Sequence, residues 1–347
     1  MLEQRKADHL EICLQRAVEH QQLTTGLERF RFVHQACPEM APSDVDLTVS
    51  FLGKRLRAPI YISPMTGGTA AGGTINRNLA VAAHTLGLAM GVGSQRPAVE
   101  DRALACTYQV RDVAPDIVLL ANLGAVQLNY GYTVDQCRLA VEMIDADGLV
   151  LHLNALQECF QPEGDRSFRG LLAKIESVCR SLGRPVIVKE VGWGLAPDTV
   201  RRLFEAGVTA VDVAGAGGTS WGRVEAYRST GSSEQHLAEA FEGWGIPTAD
   251  AIRGARRTAG AQGVIIGSGG IRNGVQAAKA LALGADLVGL ALPLLHPATL
   301  GPEPVIELLR ALIWELRLAC FATGSRSVAM LANAPLQQDQ EGNVTNG

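Results

Sequence analysis

Eight short apolar runs recur along the chain: Pro59–Ser63, Leu88–Gly93, Ile117–Asn122, Gly148–Leu153, Val186–Glu190, Ala210–Ala214, Val264–Ser268 and Leu287–Ala291. Each has the length of a strand buried on both faces, and nearly all end in small or polar residues. Segments of helical length lie between them, predicted at about 74–86, 100–113, 134–145, 167–182, 197–206, 248–261, 273–283 and 303–320. Thr133, Pro197–Asp198 and Asn273 mark helix starts, and Gly87, Gly207 and Gly284 mark stops. Strand and helix alternating in this way predict an α/β fold, a single (β/α)8 TIM barrel. Its chemistry is then expected at the carboxyl ends of the strands.

Three stretches fall outside the rhythm. Residues 1–57 precede the first barrel strand and read as an N-terminal helical arm: a helix from Glu3 to about His20, a turn at Thr24–Gly26, then an irregular run through Pro38, Pro42 and Asp44. Such an arm closes the barrel floor, packs on a neighbouring subunit or simply extends over the surface, and all three stay open here. The barrel proper is expected over 58–331. The polar tail, 332–347, is expected to be disordered. Between the sixth and seventh strands, 48 residues (215–262) form a connection of the length used for lids and binding segments; its glycines and serines suggest mobility.

Composition narrows the class. Hydrophobic residues make up 47% of the 347, enough to fill a barrel and clad it, yet no run approaches the ~20 residues of a bilayer span. The start, MLEQRKADHLEICLQ, lacks the apolar core of a signal peptide, so a cytoplasmic protein without a membrane partner is expected. A net charge of −4 excludes a global basic field for nucleic acid. The seven cysteines are scattered with no CxxC pair, which argues against structural zinc, iron–sulfur clusters and a disulfide framework. Only five of the 31 basic residues are lysines, so Lys189 at the end of an apolar strand stands out.

The strand ends carry the candidate chemistry. Strand seven runs into Gly267-Ser268-Gly269-Gly270-Ile271-Arg272-Asn273-Gly274 and a helix, a phosphate grip in the usual barrel position. Strand eight ends in small residues at Gly289 and Ala291. Gly91-Val92-Gly93-Ser94-Gln95-Arg96 lacks a third glycine and is not a dinucleotide fingerprint, but Ser94 and Arg96 can bind a diphosphate. Lys189 is either a structural ion pair or a fixed positive charge beside an anionic ligand. Strand four supplies His152, Asn154, Gln157 and Glu158; a lone buried histidine is ordinary, but four polar groups in seven residues are not. One carboxylate, Glu158, suffices for Mg2+ when phosphates and water complete the shell. Pro64-Met65-Thr66-Gly67-Gly68 and Asn122 offer close backbone and an amide to a ring system. Arg5, Lys6 and His9 form a cationic patch that is a solvated face unless the arm covers the barrel mouth.

With these motifs (RKADH, TGLERFRFVH, PMTGG, GSQR, ANLGA, HLNALQECFQPEGDRSF, VIVKEVG, GAGGTSW and SGGIRNG) the chain resembles the type 2, FMN-dependent isopentenyl-diphosphate delta-isomerases from about Arg5 to Leu331. The resemblance implies FMN contacts at Met65, Thr66, Gly67, Ser94, Asn122, Lys189, Thr219, Gly269, Gly270, Arg272, Ala291 and Leu292. It implies substrate diphosphate contacts at Arg5, Lys6, His9, Ser94, Gln95, Arg96, His152, Asn154 and Gln157. Gln157, Lys189 and His152 would serve catalysis and Glu158 would bind Mg2+. Pro64 stands where many relatives have a small residue. The implied reaction is a 1,3-allylic proton shift, with reduced FMN as the proton relay, NADPH needed only to reduce it, and a homo-oligomer, tetramer or octamer, as the assembly.

Rival readings lose on particular residues. FMN-dependent 2-hydroxy-acid oxidases and dehydrogenases resemble one another in a histidine base followed by an arginine after strand six, where this chain reads AGAGGTSW. Purine-nucleotide dehydrogenase barrels need a cysteine there, and none lies between Cys179 and Cys320. A non-catalytic flavin carrier has no use for a diphosphate clamp. A flavin-free lyase acting through Lys189 would give a colourless protein.

Overall fold

The computed structural model describes residues 2–229, 231–260 and 263–339. Outside the barrel lie β1 (Phe30–Phe32), β2 (Val49–Phe51) and β3 (Lys54–Leu56). The barrel is β4 (Ile60–Ile62), β5 (Ala89–Gly91), β6 (Leu119–Gly124), β7 (Gly148–His152), β8 (Val186–Lys189), β9 (Ala210–Asp212), β10 (Val264–Ser268) and β11 (Leu287–Leu290). Each strand pairs in parallel with the next, and β11 closes on β4. All eight apolar runs are strands at the places the pattern predicts.

Side chains alternate along a strand, so every second residue points into the barrel. Tyr61, Ala89, Leu120, Val150, Ile187, Ala210, Ile266 and Leu287 fill its centre as one apolar layer. Two residues further along each strand stand Ser63, Gly91, Asn122, His152, Lys189, Asp212, Ser268 and Gly289. Every strand therefore contributes an apolar residue to the interior and a small or polar one above it. That change of chemistry in one step is where the core ends and the site begins.

The N-terminal segment touches both ends of the barrel. The antiparallel β2–β3 hairpin packs Phe51 and Leu56 into the central apolar cluster and closes the floor. The helix Leu2–Gln15 lies at the opposite, carboxyl end. It stops five residues before the predicted end because residues 18–20 are drawn out to meet the loop after β9: Ser220 N–H donates to Val18 O and His20 N–H to Gly218 O.

Two further expectations are corrected. Residues 100–113 do not form one helix; a helix Arg96–Glu100 stops at Asp101, whose carboxylate accepts from Ala103 N–H and starts the 3-10 turn Arg102–Thr107. The tail is not disordered from 332: β12 (Leu336–Gln338) pairs antiparallel with β1. Its polar composition misled because a backbone ladder needs no apolar side chains. Residues 340–347 lie outside the described residues. Within 215–262 the chain forms the helices Trp221–Arg228, Ser232–Ala240 and Thr248–Ala259. Phe241 stacks edge-on against Phe160, centroids 5.8 Å apart, and so ties this connection to the helix Ala155–Phe160 after β7.

Candidate active site

Two adjoining cavities open at the carboxyl ends of the strands. The first, about 1060 Å³, is walled by the loops after β4, β9, β10 and β11 and by the N-terminal helix. The second, about 830 Å³, is walled by the loops after β5, β6 and β7. Lys6, His9, Met65, Lys189 and Trp221 are among the residues that line both.

The first cavity has a glycine-lined end. Gly269 and Gly270 have positive φ of 108° and 72°. A Cβ on Gly270 would strike Thr25 and the carbonyl of Gly217, so only glycine lets these turns interlock. Among the described residues the N–H groups of Gly269 and Gly270 meet no acceptor. Behind them begins the helix Gly274–Ala282, capped by Asn273, which accepts from Gln276 N–H. Bare amides backed by a helix N-terminus favour an anion. Arg272 lines the same cavity with its guanidinium paired to Glu19. Thr66, Thr219, Ala291 and Leu292 also line it.

The second cavity is cationic and hydrogen-bonded. His152 Nδ1 lies 3.0 Å from Asn122 Oδ1, and Asn122 Nδ2 donates to Val92 O. Asn122 Oδ1 is thereby the acceptor, His152 carries its proton on Nδ1, and Nε2 is left as an acceptor. Burial, Lys189, Lys6 and Arg5 lower the His152 pKa to about 3, so the ring is neutral. Burial, and then Arg5, bring Lys6 to about 8. Glu158 is buried and receives Asn154 Nδ2 at 2.7 Å and Asp165 N–H at 2.7 Å. Asn154 Oδ1 is buried without a donor among the described residues. Arg96 is held by Glu100 at 2.9 Å and Asp165 at 2.8 Å. Arg5 and Ser94 also line it.

Lys189 stands between the chambers, 8% exposed, donating to the carbonyl of Glu190. The Glu190 carboxylate turns back into its own loop, where one oxygen accepts from Val191, Gly192, Trp193 and Gly194 N–H. Burial outweighs those bonds and raises its pKa to about 7.

Two residues expected in the site are not in its walls. Gln95 is fully buried; its amide donates to Ala140 O and accepts from Asn122 N–H, tying β6 to the helix Val134–Met143. Gly67 lies behind the wall, where a Cβ would collide with the Tyr108 ring, so it serves packing. Glu225 was missed. Its Oε1 accepts from Gln157 at 2.9 Å and Gln161 at 2.6 Å and lies 3.0 Å from His9 Nε2, while Oε2 meets Arg228 at 2.9 Å. Burial would raise this carboxyl, but His9, Gln157 and Arg228 together hold it at about 2. Gln161, four residues after Gln157 on the same helix face, was legible from spacing; Glu225, inside the long connection, was not.

The fold and the glycine-floored cavity define a flavin-type α/β barrel enzyme, and the FMN-dependent dehydrogenase family model matches residues 1–109 and 149–338. Similarity to a Nostoc sp. isopentenyl-diphosphate delta-isomerase is 48% identity over 330 residues, covering 95% of this chain and 94% of that one. For that of Stutzerimonas stutzeri it is 52% over 337 residues, covering 96% of each. The chain belongs to the isopentenyl-diphosphate delta-isomerase family, of the FMN-dependent type. Solved structures of a Pediococcus acidilactici lactate oxidase (TM-score 0.69, 17% identity, 98% of this chain and 94% of that one) and a mandelate oxidase (0.68, 19%, 97% of each) share the fold.

The residues present fit FMN: the free amides of Gly269 and Gly270 suit its phosphate, and the mainly apolar remainder of the first cavity suits its ring system. For Mg2+, no group of three or more His, Cys, Asp or Glu is placed to cage an ion among the described residues. Glu158 beside the donorless Asn154 Oδ1 fits an ion whose remaining ligands come from substrate phosphate and water. No helix among the described residues is long and apolar enough to cross a membrane.

Proposed function

We propose that this enzyme interconverts isopentenyl diphosphate and dimethylallyl diphosphate by a 1,3-allylic proton shift where the two cavities meet. One observation carries the reading: a glycine-floored, mainly apolar chamber opens onto a cation-lined one, with Lys189 and Trp221 in the walls of both. FMN, once reduced by NADPH, would supply the electron-rich acid–base group that an unactivated alkene demands and that paired carboxylates do not supply here. Met65, Thr66, Thr219, Gly269, Gly270, Arg272, Ala291 and Leu292 would hold it, joined by Ser94 and Asn122 from the second chamber.

The chain's own residues do the rest. Arg5, Lys6 and Arg96 bind the diphosphate; Ser94, Asn154 and the neutral His152 orient it by hydrogen bonds. Glu158 would hold Mg2+ against that diphosphate. Gln157, fixed by Glu225, stands beside the reacting carbons and directs the proton. Trp221, packed edge-on against His9 at 5.2 Å, excludes water from the step. Lys189, in the walls of both cavities, would hold positive charge toward bound FMN and so help to stabilise negative charge on it. The enzyme is expected to work in the cytoplasm as a homo-oligomer.

The test is a spectrum followed by a turnover. Purified protein should be yellow, bleach with NADPH in the absence of oxygen, and then isomerise isopentenyl diphosphate only with Mg2+ present. A colourless protein, or bleaching without isomerisation, overturns the proposal. The oxidase reading is disfavoured because the loop after β9, Ala214–Trp221, contains neither the histidine nor the arginine that chemistry uses.

A further inference from the structure

The ring of inward residues above the apolar layer contains a set of groups with no assigned work. In register on adjacent strands, Lys189 pairs with His152 on one side and Asp212 on the other. His152 spends Nδ1 on Asn122. Asp212, 1% exposed, uses Oδ1 to accept from Ser268 Oγ at 2.5 Å and from Ala214 N–H, while Oδ2 has no donor among the described residues. Tyr61 Oη and Ser63 Oγ are likewise buried and unpartnered. Ser63, Lys189, Ser268 and Gly289 line the first cavity there, and a Cβ on Gly289 would strike Ser63 Oγ and the Ser268 Cβ, so only glycine lets these hydroxyl side chains close in.

Donors and acceptors complement one another. Lys189 has three N–H groups and spends one on Glu190 O. The Glu190 carboxylate turns one oxygen to four backbone amides of its own loop. Asp212 is the neighbouring carboxylate that is fully buried with an oxygen meeting no donor among the described residues. An ammonium buried without a counter-charge is costly, and a polar void with two to four partners is where internal water sits.

We propose that Asp212 is a positioning residue that keeps the Lys189 ammonium in place and charged, clamped by Ser268 and joined to the lysine through ordered water that also meets the Tyr61 and Ser63 hydroxyls. This rests on the reading that Lys189 faces bound FMN. The charged and titratable groups around the lysine are Asp212, Glu190, His152 and Lys6. Burial lowers the Lys189 pKa, and Asp212 ahead of Glu190 is what opposes it.

The experiment titrates Lys189 directly. Five lysines in the chain make holoenzyme carrying 13C-ε-lysine tractable by NMR, with the signal assigned through K189R. In wild type, Lys189 should stay charged across neutral pH. In D212N, with FMN retained by absorbance, its midpoint should fall by one pH unit or more, a loss of about tenfold in proton affinity, and D212E should restore most of it. An unmoved midpoint in flavin-loaded D212N overturns the proposal. Should D212N not fold, S268A keeps the charge but releases Oδ1; its midpoint should fall in the same direction by less, and no change there overturns the proposal equally. Failure of the wild type to isomerise substrate would strike the functional reading alone, since the titration does not depend on turnover.

Discussion

His9 Nε2 of the N-terminal helix lies 3.0 Å from Glu225 Oε1 of the helix Trp221–Arg228. This contact joins the first turns of the chain to the connection after β9 across the cavities. The same carboxylate receives Gln157 and Gln161 from the helix after β7 and its C-cap, so three distant segments converge on one buried charge. The connection after β9, the N-terminal arm and the segment after β7 are thereby tied together.

Loss of that charge should be felt first in acid stability. The Glu225 carboxyl ionises at about 2 in the folded protein, below its ordinary 4.5. Its stabilisation is therefore complete above pH 4.5 and is lost as pH falls toward 2. Glu225→Gln should cost on the order of 3 kcal/mol at pH 7, since His9 and Arg228 lose their partner, and should flatten the acid unfolding curve below pH 4.5. Urea unfolding across pH checks both.

His152 has the same balance in a higher pH window. Its folded value of about 3 lies below the ordinary 6.5, so the unfolded chain takes up a proton that the folded one refuses. The contribution is complete above pH 6.5 and declines as pH falls from there toward 3. His152→Asn, without ligands, should lose less Tm between pH 7 and pH 5 than wild type does.

Removal of residues 1–9 takes Arg5, Lys6 and His9 out of the cavities they line. Charge-assisted hydrogen bonds are worth about 1.5–3 kcal/mol each, so KM for isopentenyl diphosphate should rise by roughly tenfold or more, with the flavin spectrum intact. An unaltered KM would reduce the helix to a surface extension.

Glu158→Gln keeps the shape of the side chain and can still accept from one of Asn154 Nδ2 and Asp165 N–H, which meet different oxygens, but it forfeits the charge a Mg2+ ion needs. The Mg2+ concentration for half-maximal rate should rise about tenfold or more, while FMN content stays unchanged. Identical Mg2+ curves would exclude the metal role.

Gly270→Ala puts a methyl into a turn with φ of 72° against Thr25 and Gly217. Strain of this kind costs about 1–3 kcal/mol, and it falls on the loop whose amides would grip phosphate. FMN affinity should weaken roughly tenfold to a hundredfold, read by fluorescence titration of the apoprotein, with the far-UV spectrum retained.

Much of this was legible beforehand, for a local reason. Val264–Ser268 is a strand as predicted, residue for residue, and the alternation of side chains along any strand also implies which residues share the interior face with Lys189. Gln95 shows the limit. It sits among residues that do line the cavity, yet the turn after β5 aims its side chain at Ala140 O. A one-residue difference in a turn reverses a side chain, and composition does not record it.

By itself the chain's alternation of apolar strands, glycine stops and helical spacers determined a parallel barrel with its chemistry at one rim, because strand burial and βα handedness depend on neighbouring residues. Only the closed fold decided that Glu225 would meet His9 and Gln157, that β12 would pair with β1, and that Asp212 would stand beside Lys189 with an oxygen unpaired. Those contacts join segments tens to hundreds of residues apart. Their geometry comes from the curvature and register of the whole barrel, which no local pattern carries.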